Sequence, residues 1–294
     1  MSLDTESLDD EHSAPFATGT LWRAIVERTR EAREHKALEP FVTETRVIED
    51  HGVAFQVRAV TSLAGRPRAG KDARARPLMP PEPELLVAGV NDTHLCLLNK
   101  YPVLDHHALI VTRTFEPQES ALSPRDFEAL WRCLSEFPSL GFYNAGAVAG
   151  ASQAHKHLQL VPLPLGSNRR ALPIEVWLES LPRDPGVRRA PRIPFRHAFR
   201  WLGADAGEAR ALETYRLYRE MLADIGLAPD APSPYNLLVT RTWLLLVPRV
   251  RERYESVAVN ALGFAGSFFV ARPQALDLIA RTGPVTILRH VSGS

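Results

Sequence analysis

From Thr20 onward apolar residues recur at helical spacing: Leu21, Trp22, Ile25 and Val26, with charges from Glu27 to Lys36 between and after them. The pattern predicts an amphipathic helix that Pro40 stops. Two strand-like runs follow, Thr43–Glu49 and Val53–Val60, parted by the turn signal Asp50-His51-Gly52. Leu85–Val90, His94–Asn99 and Ala108–Thr112 read as further strands. Ser123-Pro124-Arg125-Asp126 opens a second helix, with Ser at the cap, Pro in the first turn and Asp three after the cap. Phe127, Leu130, Trp131 and Leu134 give that helix an apolar face. Leu140–Asn144 and Lys156–Pro162 are again strands. A short helix near Ile174–Ser180 precedes a longer one with Leu212, Tyr215, Tyr218 and Leu222 on one face. Tyr235–Thr240 and Trp243–Pro248 form a hairpin over Arg241-Thr242, and Pro273–Arg281 reads as the last helix, ended by Gly283. Strands and helices mix without regular βα alternation, which predicts an α+β fold with a largely antiparallel sheet. The layout of His94–Arg113 is echoed by Tyr235–Arg249, as if the chain held two related halves.

Two segments break this pattern. Residues 1–17 are acidic and aperiodic and read as a frayed tail. Residues 61–83 carry Arg66, Arg68, Lys71, Arg74 and Arg76 among prolines and glycines. That stretch is either a solvated surface loop or a flap that screens a polyanionic substrate. Over the 294 residues, 35 Lys and Arg balance 34 Asp and Glu, leaving +1. Such a balance excludes binding to nucleic acid by bulk charge. No apolar run approaches the ~18 residues of a membrane span, and the acidic start has no basic residue to open a signal peptide. Cys96 and Cys133 form no CxxC pair and read as reduced thiols, so a cytoplasmic location is expected.

The stretch from Asn144 to Leu160 carries the chemistry. Strand alternation puts His155, His157, Gln159 and Val161 on one face, and Leu158 and Leu160 on the other. The segment before it, Asn144–Gln153, is built from Gly, Ala, Ser and Asn, small enough to let backbone N–H groups approach an anion. Three readings compete. His155 and His157 could share a metal ion, but no nearby Asp, Glu or Cys completes the ligand set. Both could be structural, which leaves the glycine-rich loop unexplained. The reading that uses both features is phosphoryl chemistry on a nucleophilic His157, with a backbone carbonyl fixing its tautomer. Gln159 cannot give a proton to a leaving alcohol or amine; it can only hold a phosphoryl oxygen. That suits a leaving group which is itself a phosphate.

The run Gly150–Gln159 (Gly-Ala-Ser-Gln-Ala-His-Lys-His-Leu-Gln), followed by Val161-Pro162-Leu163-Pro164, resembles the signature of the diadenosine tetraphosphate (Ap4A) phosphorylases. These are also called ATP adenylyltransferases and belong to the histidine-triad (HIT) and galactose-1-phosphate uridylyltransferase superfamily. His94–Pro102 is similar to the family's strand before the site. Asn236–Thr240, Trp243–Arg249 and Asn260–Ser267 are similar to its C-terminal region. The likeness covers most of residues 40–290. It implies a HIT-like α+β fold with flanking helices and two pseudo-equivalent halves. The implied parts are the tail (1–17), a catalytic region (18–165) and a C-terminal region that completes the nucleotide site (166–294).

The implied reaction is phosphorolysis of Ap4A to ADP and ATP, reversible as adenylyl transfer, through an adenylyl-His157 intermediate. Gln159 would contact the transferred phosphoryl group, with His155 beside it in the catalytic row. Asn144, Gly150, Ala151, Ser152 and Gln153 would bind phosphates. Asn99 and Lys100 would lie near the first nucleotide, and Asn260, Leu262 and Ser267 near the second. Arg66, shortly after Ser62-Leu63-Ala64, would take the family's basic position. Implied partners are Ap4A, ATP, ADP and phosphate, with no nucleic acid, no membrane and a monomeric chain. No tightly bound cofactor or protein metal site is implied; Mg²⁺ would travel with the polyphosphate, since no carboxylate cage is evident.

Two rivals stay open. One is transfer from another nucleotidyl donor, such as adenosine 5′-phosphosulfate or a UDP-sugar, although uridylyl enzymes usually have Pro between their two histidines, where this chain has Lys156. The other is a non-catalytic nucleotide- or RNA-binding module using the basic stretches 61–76 and 183–200, which lack interleaved stacking aromatics beyond Phe195, Phe199 and Trp201. His51, His106, His107 and His197 are expected in turns or at the surface, and Trp243, Phe268 and Phe269 in the core.

Overall fold

The computed structural model describes residues 14–61, 78–166, 170–203, 207–232 and 234–294. Most of the acidic tail and the basic stretch 62–77, with Arg66, lie outside them.

The predicted hairpin forms as β1 (Thr43–Asp50) and β2 (Val53–Val60). Its two-residue turn has φ 48° at His51 and 76° at Gly52, the positive values that let a turn follow the strands' twist. The main sheet is antiparallel throughout and runs β3-β4-β5-β7-β6-β9-β10-β8. It comprises β3 (Leu86–Gly89), β4 (His94–Leu98), β5 (Ala108–Thr112), β6 (Ser139–Asn144), β7 (His157–Pro162), β8 (Ala198–Trp201), β9 (Tyr235–Val239) and β10 (Trp243–Pro248). The echoed hairpins β4-β5 and β9-β10 lie in this one sheet, with β7 and β6 between them.

One face packs on α1 (Leu21–Glu34), α2 (Pro124–Leu134) and α3 (Gly207–Asp224) through a single apolar cluster. Helix α2 starts as its sequence predicts. Ser123 Oγ accepts from the Asp126 N–H, and the Asp126 carboxylate accepts from the Ser123 N–H at 2.6 Å. The other face is covered over β6, β9, β10 and β8 by a second layer and its own apolar cluster. That layer holds β1, β2 and β13 (Ser267–Val270), with α4 (Ala261–Phe264), α5 (Pro273–Thr282) and α6 (Pro284–Ser292). Over β3, β4 and β5 the same face carries a smaller cluster, Leu86, Leu95, Leu97, Leu109 and Val111, against which Leu78 and Met79 pack. A short ribbon, β11 (Arg253–Tyr254) with β12 (Val257–Ala258), completes the strands.

Several local expectations change. Helix α1 ends at Glu34, well before Pro40, and buries Leu21, Ile25, Thr29 and Ala32. Trp22 and Val26 sit on its exposed flank, at 36% and 37% exposure, because a stripe at i, i+4, i+8 takes only one member of each apolar pair. In α3 the buried stripe is Ala211, Thr214, Tyr218, Met221 and Leu222, and Leu212 is left 57% exposed. Gly283 ends α5 but also starts α6, with Pro284 in its first turn, so Pro273–Arg281 is not the last helix. His197 is buried rather than at the surface: its Nδ1–H donates to the Phe195 carbonyl and its Nε2 accepts from the Ala190 N–H. Among the described residues no helix is long and apolar enough to cross a membrane.

Candidate active site

Strand β7 lies mid-sheet between β5 and β6, where the second layer ends and the smaller cluster begins. His157 pairs with Val111, and Gln159 with Leu109 on one side and Phe142 on the other. Leu158 and Leu160 point into the helix-side core. The row His157–Gln159 is thus a polar strip between two apolar regions of one face.

Lys156 belongs to the reverse side. Its ammonium is 2.7 Å from Asp126, 3.0 Å from Glu116 and 3.2 Å from the Ala121 carbonyl. Asp126 also meets His94 Nε2 at 3.0 Å. Burial alone would push the Asp126 carboxyl up, but His94, Lys156 and the Ser123 backbone outweigh it and bring it down to about 2.

The His157 ring is fixed by its neighbours. Nδ1–H donates to the His155 carbonyl at 2.8 Å, so in the neutral ring Nε2 carries the lone pair. Nε2 meets no partner among the described residues. The His157 N–H donates to Gln118 Oε1 at 2.8 Å, while Gln118 Nε2 donates to the carbonyls of His157 and Asn144 at 3.1 and 2.9 Å. Gln118 therefore clamps the backbone at His157 and ties it to the start of the small-residue loop. The His155 imidazole turns away: its Nε2–H donates to the Thr112 carbonyl at 2.9 Å, and the Phe115 ring lies edge-on at 5.5 Å. What His155 offers His157 is its carbonyl.

Burial, more than the proximity of His155, lowers the His157 pKa to about 4, although the bond to the His155 carbonyl opposes it. In the unfolded chain the ring takes its proton near ~6.5, so stability falls as the pH drops from there towards the folded value. An NMR titration should find His157 neutral at pH ~5.5, where a free imidazole is mostly charged. A midpoint near the free value would mean that the ring is solvated.

The loop after β6 is shaped by two glycines. Gly146 and Gly150 have φ of 81° and 92°, values that a residue with a Cβ rarely adopts. A Cβ on Gly150 would also stand 2.7 Å from the Val259 carbonyl and 2.8 Å from Asn260 Cβ, so the C-terminal segment rests directly on the loop. Ala149, Gly150 and Ala151 use their amides within the loop. Ser152 is exposed and Gln153 half-buried. At the loop's head Asn144 Oδ1 accepts from Asn236 Nδ2 and the Ala261 N–H at 2.8 and 2.9 Å, leaving Asn144 Nδ2 buried with no partner among the described residues. Arg249 braces the loop from below, donating to the Ala149 carbonyl at 3.1 Å and to Asn236 Oδ1 at 2.6 Å.

The structure therefore brings together His157, Gln159, Asn144, the Gly150–Gln153 segment and Asn260, whereas His155, expected in the catalytic row, contributes its carbonyl and not its ring. Asn260 caps α4 by accepting from the Leu262 N–H. Lys100 pairs with Glu82 at 2.6 Å. Ser267 is buried in the second layer, accepting from Arg58 at 2.6 Å, and Arg58 in turn reaches the Leu165 carbonyl at 2.9 Å.

One expectation fails inside the site. His107 is buried, not at the surface, with Nε2 2.9 Å from Gln159 Oε1 and Nδ1 3.2 Å from Asn99 Nδ2. Parity with Leu109 and Val111 could have put His107 on the active face; that β7 is the neighbour of β5 is not written locally. Gln118, Asn236 and the bracing role of Arg249 left no signal in spacing.

Comparison with known proteins agrees with this architecture. Residues 11–180 match the family model of the Ap4A phosphorylase N-terminal domain, and residues 191–294 that of the ATP adenylyltransferase C-terminal domain. The Saccharomyces cerevisiae protein APA1 is 25% identical over 300 residues, covering 92% of this chain and 88% of the relative. Diadenosine 5',5'''-P1,P4-tetraphosphate phosphorylase 2 of the same yeast is 25% identical over 290 residues, covering 84% and 86%. The crystal structure of yeast Ap4A phosphorylase Apa2 shares the fold, with a TM-score of 0.77 and 23% identity over 94% of this chain and 98% of that one. The same enzyme in complex with Ap4A superposes with a TM-score of 0.74 at 22% identity, over 94% and 98%. With more than half its length matched by the first model, the chain belongs to the Ap4A phosphorylase family.

Proposed function

We propose that the chain phosphorolyses Ap4A to ADP and ATP by double displacement on His157. The observation that carries this reading is the pairing in β7 of a neutral imidazole, its Nδ1–H held by the His155 carbonyl, with an amide at Gln159. His157 Nε2 attacks the α-phosphorus of one adenylyl group. The N–P bond forms, the bridging P–O bond breaks, and ATP departs with the electron pair. A phosphate oxygen then attacks the same phosphorus, the N–P bond breaks, and ADP leaves. Both leaving or entering groups are phosphates, so no proton donor is needed beside His157.

The remaining roles follow from position. Gln159, the Ser152 and Gln153 side chains at the end of the loop and Asn144 Nδ2, which has no partner among the described residues, meet the phosphoryl oxygens. Residues 18–165 carry the chemistry, and residues 166–294 complete the site where Asn260 rests on Gly150.

The test is a trap. Incubation with Ap4A labelled at its α-phosphates, without phosphate, should place an acid-labile, alkali-stable label on His157. Adding phosphate should release it as ADP. Turnover without any such label, or a donor panel in which UDP-glucose or adenosine 5′-phosphosulfate outruns Ap4A, would overturn the reading.

A further inference from the structure

We infer that Asn99 and His107 are positioning residues that fix which end of the Gln159 amide faces the reacting phosphoryl group. The inference rests on the function proposed above for its consequence, but its physical basis is a chain of hydrogen bonds with only one consistent direction. The chain starts at a backbone amide, which can only donate. The Tyr101 N–H lies 3.1 Å from Asn99 Oδ1, so that atom must be the oxygen and the opposite end of the Asn99 side chain must be the donor. Asn99 Nδ2 then donates to His107 Nδ1 across 3.2 Å. A neutral imidazole that accepts at Nδ1 carries its proton on Nε2. His107 Nε2–H therefore donates across 2.9 Å to Gln159, which must present Oε1 to it. The other end of the amide, Nε2 with its two protons, is left for the active face, and it meets no acceptor among the described residues.

Two features keep the direction from reversing. The backbone of Asn99 donates to the His107 carbonyl at 2.8 Å, which holds the two side chains opposite each other at the end of the β4-β5 ladder. His107 is also buried, and burial keeps its ring neutral. A second proton on that ring would set N–H against N–H at Asn99. Among the described residues, His157 from β7 is the titratable group whose charge bears on His107, and Phe142 from β6 supplies an apolar ring at 5.9 Å.

The consequence is electrostatic. A glutamine amide is ambiguous: turned one way it offers two donors to phosphoryl oxygens, turned the other it offers a carbonyl that repels them. The relay makes the choice before substrate arrives, so none of the binding energy is used to turn the amide.

Two measurements test this. The first needs no substrate. Long-range proton–nitrogen NMR of the full chain with ¹⁵N-labelled histidine should show His107 at neutral pH with Nε2 protonated and Nδ1 bare. Finding the proton on Nδ1, or a charged ring, overturns the relay whatever the enzyme acts on.

The second uses Asn99→Asp. A carboxylate still accepts from Tyr101 but also accepts at His107, drawing the ring proton to Nδ1. The bare Nε2 then turns the Gln159 amide round. At pH ~8 kcat should fall about 100-fold, the scale of a lost oxyanion donor, with KM changed much less. As the pH is lowered and His107 gains a second proton, Nε2–H returns and kcat should recover, a rise towards acid that the parent enzyme lacks. In a Gln159→Ala background the same substitution should add no further loss. A pH profile parallel to the parent's, or losses that simply multiply, would refute the positioning role. Failure of the His157 adduct to form in the parent chain would instead refute the proposed reaction and leave the tautomer measurement standing.

Discussion

Replacing His157 by alanine should lower the rate of Ap4A phosphorolysis by about four orders of magnitude or more, the scale of removing a covalent nucleophile. Nothing else in the row can take over. The His155 ring is turned to the Thr112 carbonyl, and Gln159 has no nucleophilic lone pair to offer. Nucleotide affinity should change little, because the loop and Asn144 are untouched and the backbone clamp from Gln118 uses the N–H and carbonyl of residue 157, not its ring. Rapid-quench kinetics and calorimetric binding on the same preparation separate the two effects. A variant that retains a tenth of the parent activity would rule out His157 as the nucleophile; one that loses binding and turnover together would mean that the ring is a structural support.

Lys156→Ala should be the most destabilising single change near the site. It leaves the Asp126 carboxylate buried without its cation, a loss of about 3–5 kcal/mol. At roughly 2–3 °C per kcal/mol for a chain of this size, the thermal midpoint falls by about 6–15 °C. Asp126 and Lys156 are 1% and 2% exposed at their side chains, whereas Glu116 is 44% exposed. Glu116→Gln should therefore cost no more than about 1 kcal/mol. The pH dependence has a definite sign. With its folded pKa held at about 2, Asp126 stabilises the fold above its unfolded value, and that contribution drains away as the pH falls towards the folded one. Differential scanning calorimetry of the two variants at neutral pH checks the contrast. Equal losses would place the stabilisation at the half-exposed partner instead.

Strand parity was the most informative sequence signal. It separated His157 and Gln159 from Leu158 and Leu160, and those pairs do lie on opposite sides of β7. Capping chemistry was equally local, and Ser123 with Asp126 formed the box expected of them. What parity could not supply was the order of strands. The partner of Gln159 is His107, just before β5, and the loop behind His157 is tied by Gln118, both joined to β7 only by tertiary pairing. The same limit hid β13, which pairs in parallel with a strand more than half the chain away, and β8, which sits in a segment dense with Pro and Arg. Lys156 stands where uridylyl enzymes have Pro, and its structural role as a buried strut behind the nucleophile depends on Asp126 and Glu116, which no local pattern ties to it. Leu212 and Trp22 show how a stripe of apolar positions can be read one residue out of phase when the helix offers two adjacent candidates.

The ladder between β6 and β9 joins residues from both family-matched stretches, 11–180 and 191–294, with Asn144 opposite Asn236 at its end. Severing the linker between those stretches would therefore not release two autonomous modules. Each fragment would be born with a raw hydrogen-bonding edge and half of an unfinished core. Gene fusions and split reporters built on this chain need their junctions elsewhere, at the outer rims rather than at the middle of the sheet.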